Sequence, residues 1–435
     1  MKKTLIKNTR IVNPFSNPEF TENGWISIIG GKIEEIGSET PDENGFDEVL
    51  DMSEKTVLPG MINAHHHLYS TLALGMPPPK KTPKNFTEIL QEIWWKLDLA
   101  LDENSIKASF EAGLRECLRS GVTTIFDHHS SPNFTDGSLG MLVKIADKFG
   151  VNISPAFEIT DRNGEEFLKS GLAENLRTFQ NYENDPHISP LIGLHASFTL
   201  SDKSLEKIAE AISDFENYGI HIHVSEDKTD EENAKKHGYP SVIQRLNHFG
   251  LLNEHCLIAH GIHIQPKDVE VLKESGANLV HNPTSNANNK VGILSSEIIE
   301  KLDAGLGTDG MQTDMLSEAK EGTLIRSSHK ENNVNYLKLL FSNNSKIASK
   351  LAGLKLGKIQ PGYQANLVFF DYQPQTEMNE DNFSGHILFG FDKPTDVMTR
   401  GEFRIWDGRC VEIDEFEILE KAREQSKLLW KKMDR

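Results

Sequence analysis

Cysteine is scarce in this chain: Cys117, Cys256 and Cys410 are the only three in 435 residues, each far from the next. No disulfide framework can be drawn from them, and the cytoplasm is the expected compartment. Positive charge is short as well. Lys and Arg number 46 against 65 Asp and Glu, a net charge of -19. The clustered cations that nucleic-acid phosphates require are therefore missing, and nucleic acid is not an expected partner. The excess acid reads as a solvated surface. Long apolar runs are also lacking. Nothing approaches the roughly 20 residues of a membrane-spanning helix, and Met1-Lys2-Lys3-Thr4-Leu5-Ile6-Lys7 has no apolar stretch of the secretory kind. No membrane partner is expected. There is neither a low-complexity linker nor an internal repeat beyond one alternation of element types. A small molecule is the partner that remains, with a homo-oligomer left open.

That alternation runs from about residue 58 to residue 355, as a short β-rich run, a turn and a longer amphipathic stretch. The runs at 61–67, 122–128, 152–158, 189–195, 221–226, 256–261, 277–282 and 305–309 are the expected strands. Helices such as 102–120, 201–217 and 265–275 carry apolar residues at helical spacing. Eight strands alternating with helices predict an α/β fold, a closed (β/α)8 barrel of the TIM type over 58–355, with its chemistry at the C-terminal strand ends. The flanks differ. In 1–57 the pair Gly30-Gly31 separates two β-rich stretches, a hairpin signal, and 356–412 is β-rich too. Neither flank suffices for a core alone, so the two chain ends are expected to pair into one small β-sandwich. Residues 413–435, rich in Glu, Lys and Leu, read as a terminal helix.

Histidines carry the chemistry. Ala64-His65-His66-His67 closes the apolar run 57–62. Residues two apart on a strand point to one side, so His65 and His67 aim two imidazoles at a single point. Alone, such a pair is weak evidence. The pattern gains weight because other apolar runs end alike, at His223 with Glu226, at His260, at His281 and at Asp309. Three neutral imidazoles and one carboxylate can hold a divalent ion while leaving a position for water, which the ion makes acidic near neutral pH. His65, His67, His223 and Asp309 form that set. One divalent ion is the expected cofactor, zinc first with iron as the alternative, since His and Asp suit both.

Pro59-Gly60-Met61-Ile62-Asn63-Ala64-His65-His66-His67, His223-Val224-Ser225-Glu226, Ala259-His260-Gly261, His281-Asn282-Pro283-Thr284-Ser285-Asn286 and Gly307-Thr308-Asp309, in this order, resemble the amidohydrolase superfamily. Within it they are most similar to the branch of guanine, S-adenosylhomocysteine and chlorotriazine deaminases. The resemblance spans nearly the whole chain, with Asn366 where Asp is usual. It implies that Asp309 takes a proton from the attacking water and that Glu226 carries protons between water and substrate. It implies that His260 binds or orients the metal-bound water, where it could polarise a developing oxyanion. His195 is implied as a substrate contact, because 195–199 looks like the matching deaminase segment. Binuclear relatives carry a bridging lysine on the fourth strand, where this chain has His195, so a single metal is expected. His281 is a substrate-contact candidate whose role in shaping the loop weighs slightly more.

Three successive prolines, Pro77-Pro78-Pro79, exclude a helix interior and predict an irregular excursion. It leads into Ile93-Trp94-Trp95-Lys96-Leu97. One reading makes this a lid that sets Trp94 or Trp95 against a flat substrate; the other packs the tryptophans on an amphipathic helix or a subunit contact. His128 and His129 end the second strand and read as structural. The expected activity is hydrolysis of a C–N bond, other than a peptide bond, in a small heterocyclic substrate. Deamination of a purine-, pterin- or triazine-like ring comes first. Ring opening of a cyclic amide is the alternative, and a catalytically inactive metal-binding scaffold the second. Glu226 and His260 beside the ligands speak against the scaffold. Gly310-Met311-Gln312-Thr313-Asp314 departs from the Ser-Asn-Asn type of sequence common in related deaminases and leaves the ring unnamed.

Overall fold

A computed structural model describes residues 1–215 and 217–433. The first five strands are β1 (Lys3–Val12), β2 (Phe20–Ile29), β3 (Lys32–Gly37), β4 (Glu48–Asp51) and β5 (Lys55–Pro59). β2 and β3 form the hairpin expected at Gly30-Gly31, both at positive φ, 57° and 79°. Glycine adopts this region without a Cβ clash. Near the C-terminus lie β14 (Leu367–Asp371), β15 (Asp396–Thr399), β16 (Glu402–Trp406) and β17 (Arg409–Cys410). The two ends pair into one nine-stranded sheet through β14 and β5, antiparallel with Val368 opposite Leu58. Ile6, Ile26, Ile28, Val57, Leu367, Phe369 and Met398 share one buried cluster on this sheet.

Between the ends run eight strands in chain order: β6 (Met61–His66), β7 (Val122–His129), β8 (Asn152–Phe157), β9 (Ile192–Ala196), β10 (Ile220–Val224), β11 (Leu257–His260), β12 (Asn278–His281) and β13 (Gly305–Leu306). β6-β7-β8 form one parallel sheet and β9 to β13 another. All but one of their residues are buried, the pattern of parallel strands covered on both faces. Isolated parallel bridges, Ile153–Ile188 and Ile159–Leu194, join β8 to β9, and His66–Asp309 joins the end of β6 to the segment after β13.

Helices cover the strands where the sequence predicts them. Glu103–Arg119 starts at a capping box of Asp102 and Ser105, and Pro266–Ser275 has Pro at its first turn and left-handed Gly276 at its end. Asp202–Ile212 stops five residues short of the expected 217, where Ser213 bonds its hydroxyl to Glu210 O. The C-terminal helix, Glu415–Met433, packs on Glu103–Arg119, and its Trp430 Nε1 donates to Leu72 O at 2.8 Å. Among the described residues no helix is long and apolar enough to cross a membrane. Cys117, Cys256 and Cys410 are all free thiols.

Candidate active site

The last residues of β6, β10 and β11 and the segment after β13 meet at one place. His65, His223, His260 and Asp309 each offer one ligand atom, all within 4.8 Å of one another. His67 joins them: its Nε2 lies 2.8 Å from Asp309 Oδ1 and 3.1 Å from His223 Nε2. The chain reaches this geometry through unusual backbone. β13 ends at Leu306, three residues earlier than expected, because Thr308 N and Asp309 N both turn to bond His65 O. Gly307 permits that approach, since a Cβ there would stand 2.8 Å from His65 N. His260 and Asp309 hold φ of 74° and 52°, strained for non-glycine residues and of the kind that persists where surrounding structure enforces it.

Each imidazole is oriented from behind. His67 Nδ1 donates to His128 O at 2.5 Å, His223 Nδ1 to His195 O at 2.8 Å and His260 Nδ1 to Asn286 Oδ1 at 2.8 Å. His65 Nδ1 pairs with His221 Nε2 at 2.8 Å. All four Nε2 atoms are thereby left facing the common point. Those of His65 and His260 are buried with no hydrogen-bond partner. Buried polar atoms are rarely orphaned, and neutral imidazoles fixed at one nitrogen are the usual donors to zinc. The donor set therefore fits a divalent cation.

Electrostatics agree. Burial pushes His65 down to about 3 and His223 well below its ordinary value, so both are neutral ligands near pH 7. Burial opposes the charge on His67 too, but Asp309 outweighs it and His67 is raised. Asp309 is held well below the usual carboxylate range: burial works against its charge, and the neighbouring His65 and His67 imidazoles prevail. Burial lifts Glu226 to about 6, with His260 pulling the other way. Its Oε1 accepts from Asn289 Nδ2 at 3.1 Å, and Oε2 lies 3.7 Å from His260 Nε2.

A cavity of about 790 Å³ opens over this cluster. His67, His195, His223, Glu226 and Asp309 line it on the polar side, with Trp94, Trp95, Phe86, Leu90, Phe198 and Met311 on the apolar side. Residues 75–85 form neither strand nor helix before Asn85 caps the following turn. His195 hydrogen-bonds Thr199 Oγ1 at 2.9 Å and keeps its ring beside Trp95, 6.5 Å between centroids.

The structure does not bring His281 to this cavity. Its ring is buried beneath, with Nε2 3.3 Å from the Tyr336 hydroxyl and Nδ1 3.4 Å from Asn286 Nδ2. His128 lies behind the cluster, its Nε2 donating to Leu194 O at 3.0 Å, and His129 sits among Tyr69, Phe110 and Phe157. Sequence reasoning missed His221, although His221-Ile222-His223 repeats the spacing of His65 and His67. It also missed Ser285, whose hydroxyl donates to Asp309 Oδ2, and Asn286 and Asn289. These three stand on the short helix Pro283–Asn289, announced by Pro283 at its first turn. Asp98 and Glu158, at another wall of the cavity, and Arg162 paired with them carried no sequence signal.

Residues 56–393 match the amidohydrolase family, and the chain belongs to it. Among curated relatives, 5'-deoxyadenosine deaminase of Methanocaldococcus jannaschii is 27% identical, covering 93% of this chain and 96% of that one. 5-Methylthioadenosine/S-adenosylhomocysteine deaminase 1 of Archaeoglobus fulgidus is 26% identical over 98% and 99%. Two solved structures share the fold: a zinc-bound adenosine deaminase from Xanthomonas campestris, at TM-score 0.84, 18% identity and 98% of both chains, and guanine deaminase of E. coli, at TM-score 0.75, 19% identity and 93% and 99% coverage.

Proposed function

We propose that this protein is a mononuclear metal-dependent aminohydrolase that removes an amino group from a purine-like ring. The observation that carries the reading is the convergence of four imidazole Nε2 atoms on Asp309, each imidazole held at Nδ1, beside the buried carboxyl of Glu226. The names of the relatives, deaminases of adenosine-type compounds, support the ring class. His65, His67, His223 and Asp309 would hold the ion, zinc first, with His260 at the same point. Such an ion supplies Lewis acidity and makes water a nucleophile near neutral pH.

The chain's own groups do the rest. Asp309 accepts the proton that the attacking water loses. Glu226, lifted toward neutrality, gives its proton to the ring nitrogen; the proton that Asp309 took passes to the departing nitrogen, so ammonia leaves uncharged, and the new hydroxyl on the ring carbon returns its proton to Glu226 as it becomes a carbonyl. His260, fixed by Asn286 at Nδ1, orients the attacking water through its Nε2, and His195 and Trp94 hold the ring. We assign the (β/α)8 barrel to 58–355, closed through the bridges at its two seams. The end sheet, 1–57 with 356–412, folds over itself as a small sandwich: Ile33 N bonds Tyr363 O at 2.9 Å, bringing β3 against the segment that leads into β14. Within 413–435, Glu415–Met433 forms the terminal helix. The test is metal analysis and ammonia release on the zinc-loaded enzyme and on His223→Ala. Low metal content in the variant and ammonia from a purine in the wild type are expected. Full metal with unchanged activity would remove His223 from the site, and a ring-opened product without ammonia would replace deamination by cyclic amide hydrolysis.

A further inference from the structure

The cavity's charge is one-sided. Six carboxylates line it, Asp98, Glu158, Glu226, Asp227, Asp230 and Asp309, and no lysine or arginine is among the lining residues. Most have work elsewhere. Asp309 and Glu226 belong to the chemistry. Asp230 accepts from Ser225 N at 2.8 Å and Phe198 N at 3.1 Å, fixing two strand ends, and Asp227 caps the helix that follows through Thr229 N at 2.9 Å. Glu158 pairs with Arg162. Asp98 is left over. It is 3% exposed, its Oδ1 has no hydrogen-bond partner, and its Oδ2 stands 3.6 Å from Arg162.

Arg162 is the only cation near this wall among the residues contacting Asp98, and it is fully committed. Its guanidinium pairs with Glu158, bonds Thr160 Oγ1 at 3.2 Å through Nε, and stacks on Trp95 with 4.7 Å to the ring centroid. An unsatisfied buried carboxylate oxygen costs free energy until a donor meets it, and a charged donor is the strongest match. An anionic substituent placed there would instead meet two carboxylates that already share the one Arg162 guanidinium.

We propose that this wall is a selectivity subsite for a cationic amine: the substrate is a heterocycle carrying an ammonium group that Asp98 receives, and anionic heterocycles are rejected. The inference rests on the deaminase reading for its choice of ring. The experiment uses the zinc-loaded enzyme and three compounds with one adenine ring, namely 5'-amino-5'-deoxyadenosine, 5'-deoxyadenosine and adenosine-5'-carboxylate. Both kcat/KM for ammonia release and Kd by calorimetry are measured. The ammonium compound should exceed the carboxylate by about tenfold or more in both, with the neutral compound between, the factor one charge-assisted hydrogen bond supplies. Asp98→Asn should bring the extremes within about threefold while metal content is kept. Equal or reversed order in Kd, or no binding by any of the three, overturns the subsite. Binding in the expected order without ammonia release leaves the subsite standing and overturns the deaminase reading instead. The wild-type series decides even where the variant does not fold.

Discussion

At the level of single residues, the site separates groups that hold from groups that move protons. Glu226→Gln keeps size and polarity but loses the carboxyl that accepts and returns a proton. Turnover is expected to fall roughly 100-fold or more with metal content and melting temperature preserved, read from steady-state rates and metal analysis on one preparation. Near wild-type turnover would hand the role to Asp309 or His260. His221 acts through another residue, since its Nε2 meets His65 Nδ1 at 2.8 Å behind the cluster. His221→Ala should weaken zinc affinity by about 10- to 100-fold, the usual cost of losing an outer partner, as read by competition with a chelator. An unchanged affinity would show that His65 orients itself. These two cases also mark what was legible in the sequence. His65 with His67 could be read because a strand alternates sides, and the same rule covers His221 with His223. It cannot say that His221 faces the back of His65 rather than the common point. Asp98 and Arg162 are single residues brought together from distant segments, and no local spacing encodes such a meeting.

Strands and helices were more legible than their ends. Eight apolar runs announced eight strands, because buried parallel strands need continuous apolar sequence. Where a strand stops depends on contacts across the fold, as when His65 O captures both Thr308 N and Asp309 N and cuts β13 short. Glu318, on helix Met315–Ser328, shows how one element is tied to the next: its carboxylate accepts from Thr284 N at 3.0 Å, Thr284 Oγ1 at 2.6 Å and Gln312 Nε2 at 2.8 Å. Burial raises it from an ordinary 4.5 to about 7. A carboxyl raised on folding binds its proton more tightly in the native state, so its contribution to stability falls as pH climbs from about 4.5 through about 7. Glu318→Gln removes that dependence. The melting temperature of the variant relative to wild type should therefore become more favourable as pH rises across this window. A difference that stays flat with pH would exclude Glu318 as its source.

For the molecule as a whole, the cluster of Nε2 atoms makes stability a function of metal. A ligand that binds only the native state adds about 4 kcal/mol at a thousand times its Kd. Stripping with a chelator should lower the melting temperature, and zinc should restore it, as measured by calorimetry. No shift in either direction would mean that the cluster holds no ion. The pairing of the two chain ends was expected because neither could bury a core alone. Its form as one continuous nine-stranded sheet was not, because strand order is set by β14 meeting β5 across the length of the chain.

The bridge between His66 and Asp309 gives the cluster a history during synthesis. His65 and His67 leave the ribosome early, whereas Asp309 follows more than two hundred residues later. At ordinary elongation rates of about 5–20 residues per second, that interval lasts roughly 10 to 50 s. Throughout it the nascent chain carries a partial histidine site without its carboxylate. On the proposed reading, the full donor set exists only once Asp309 has emerged.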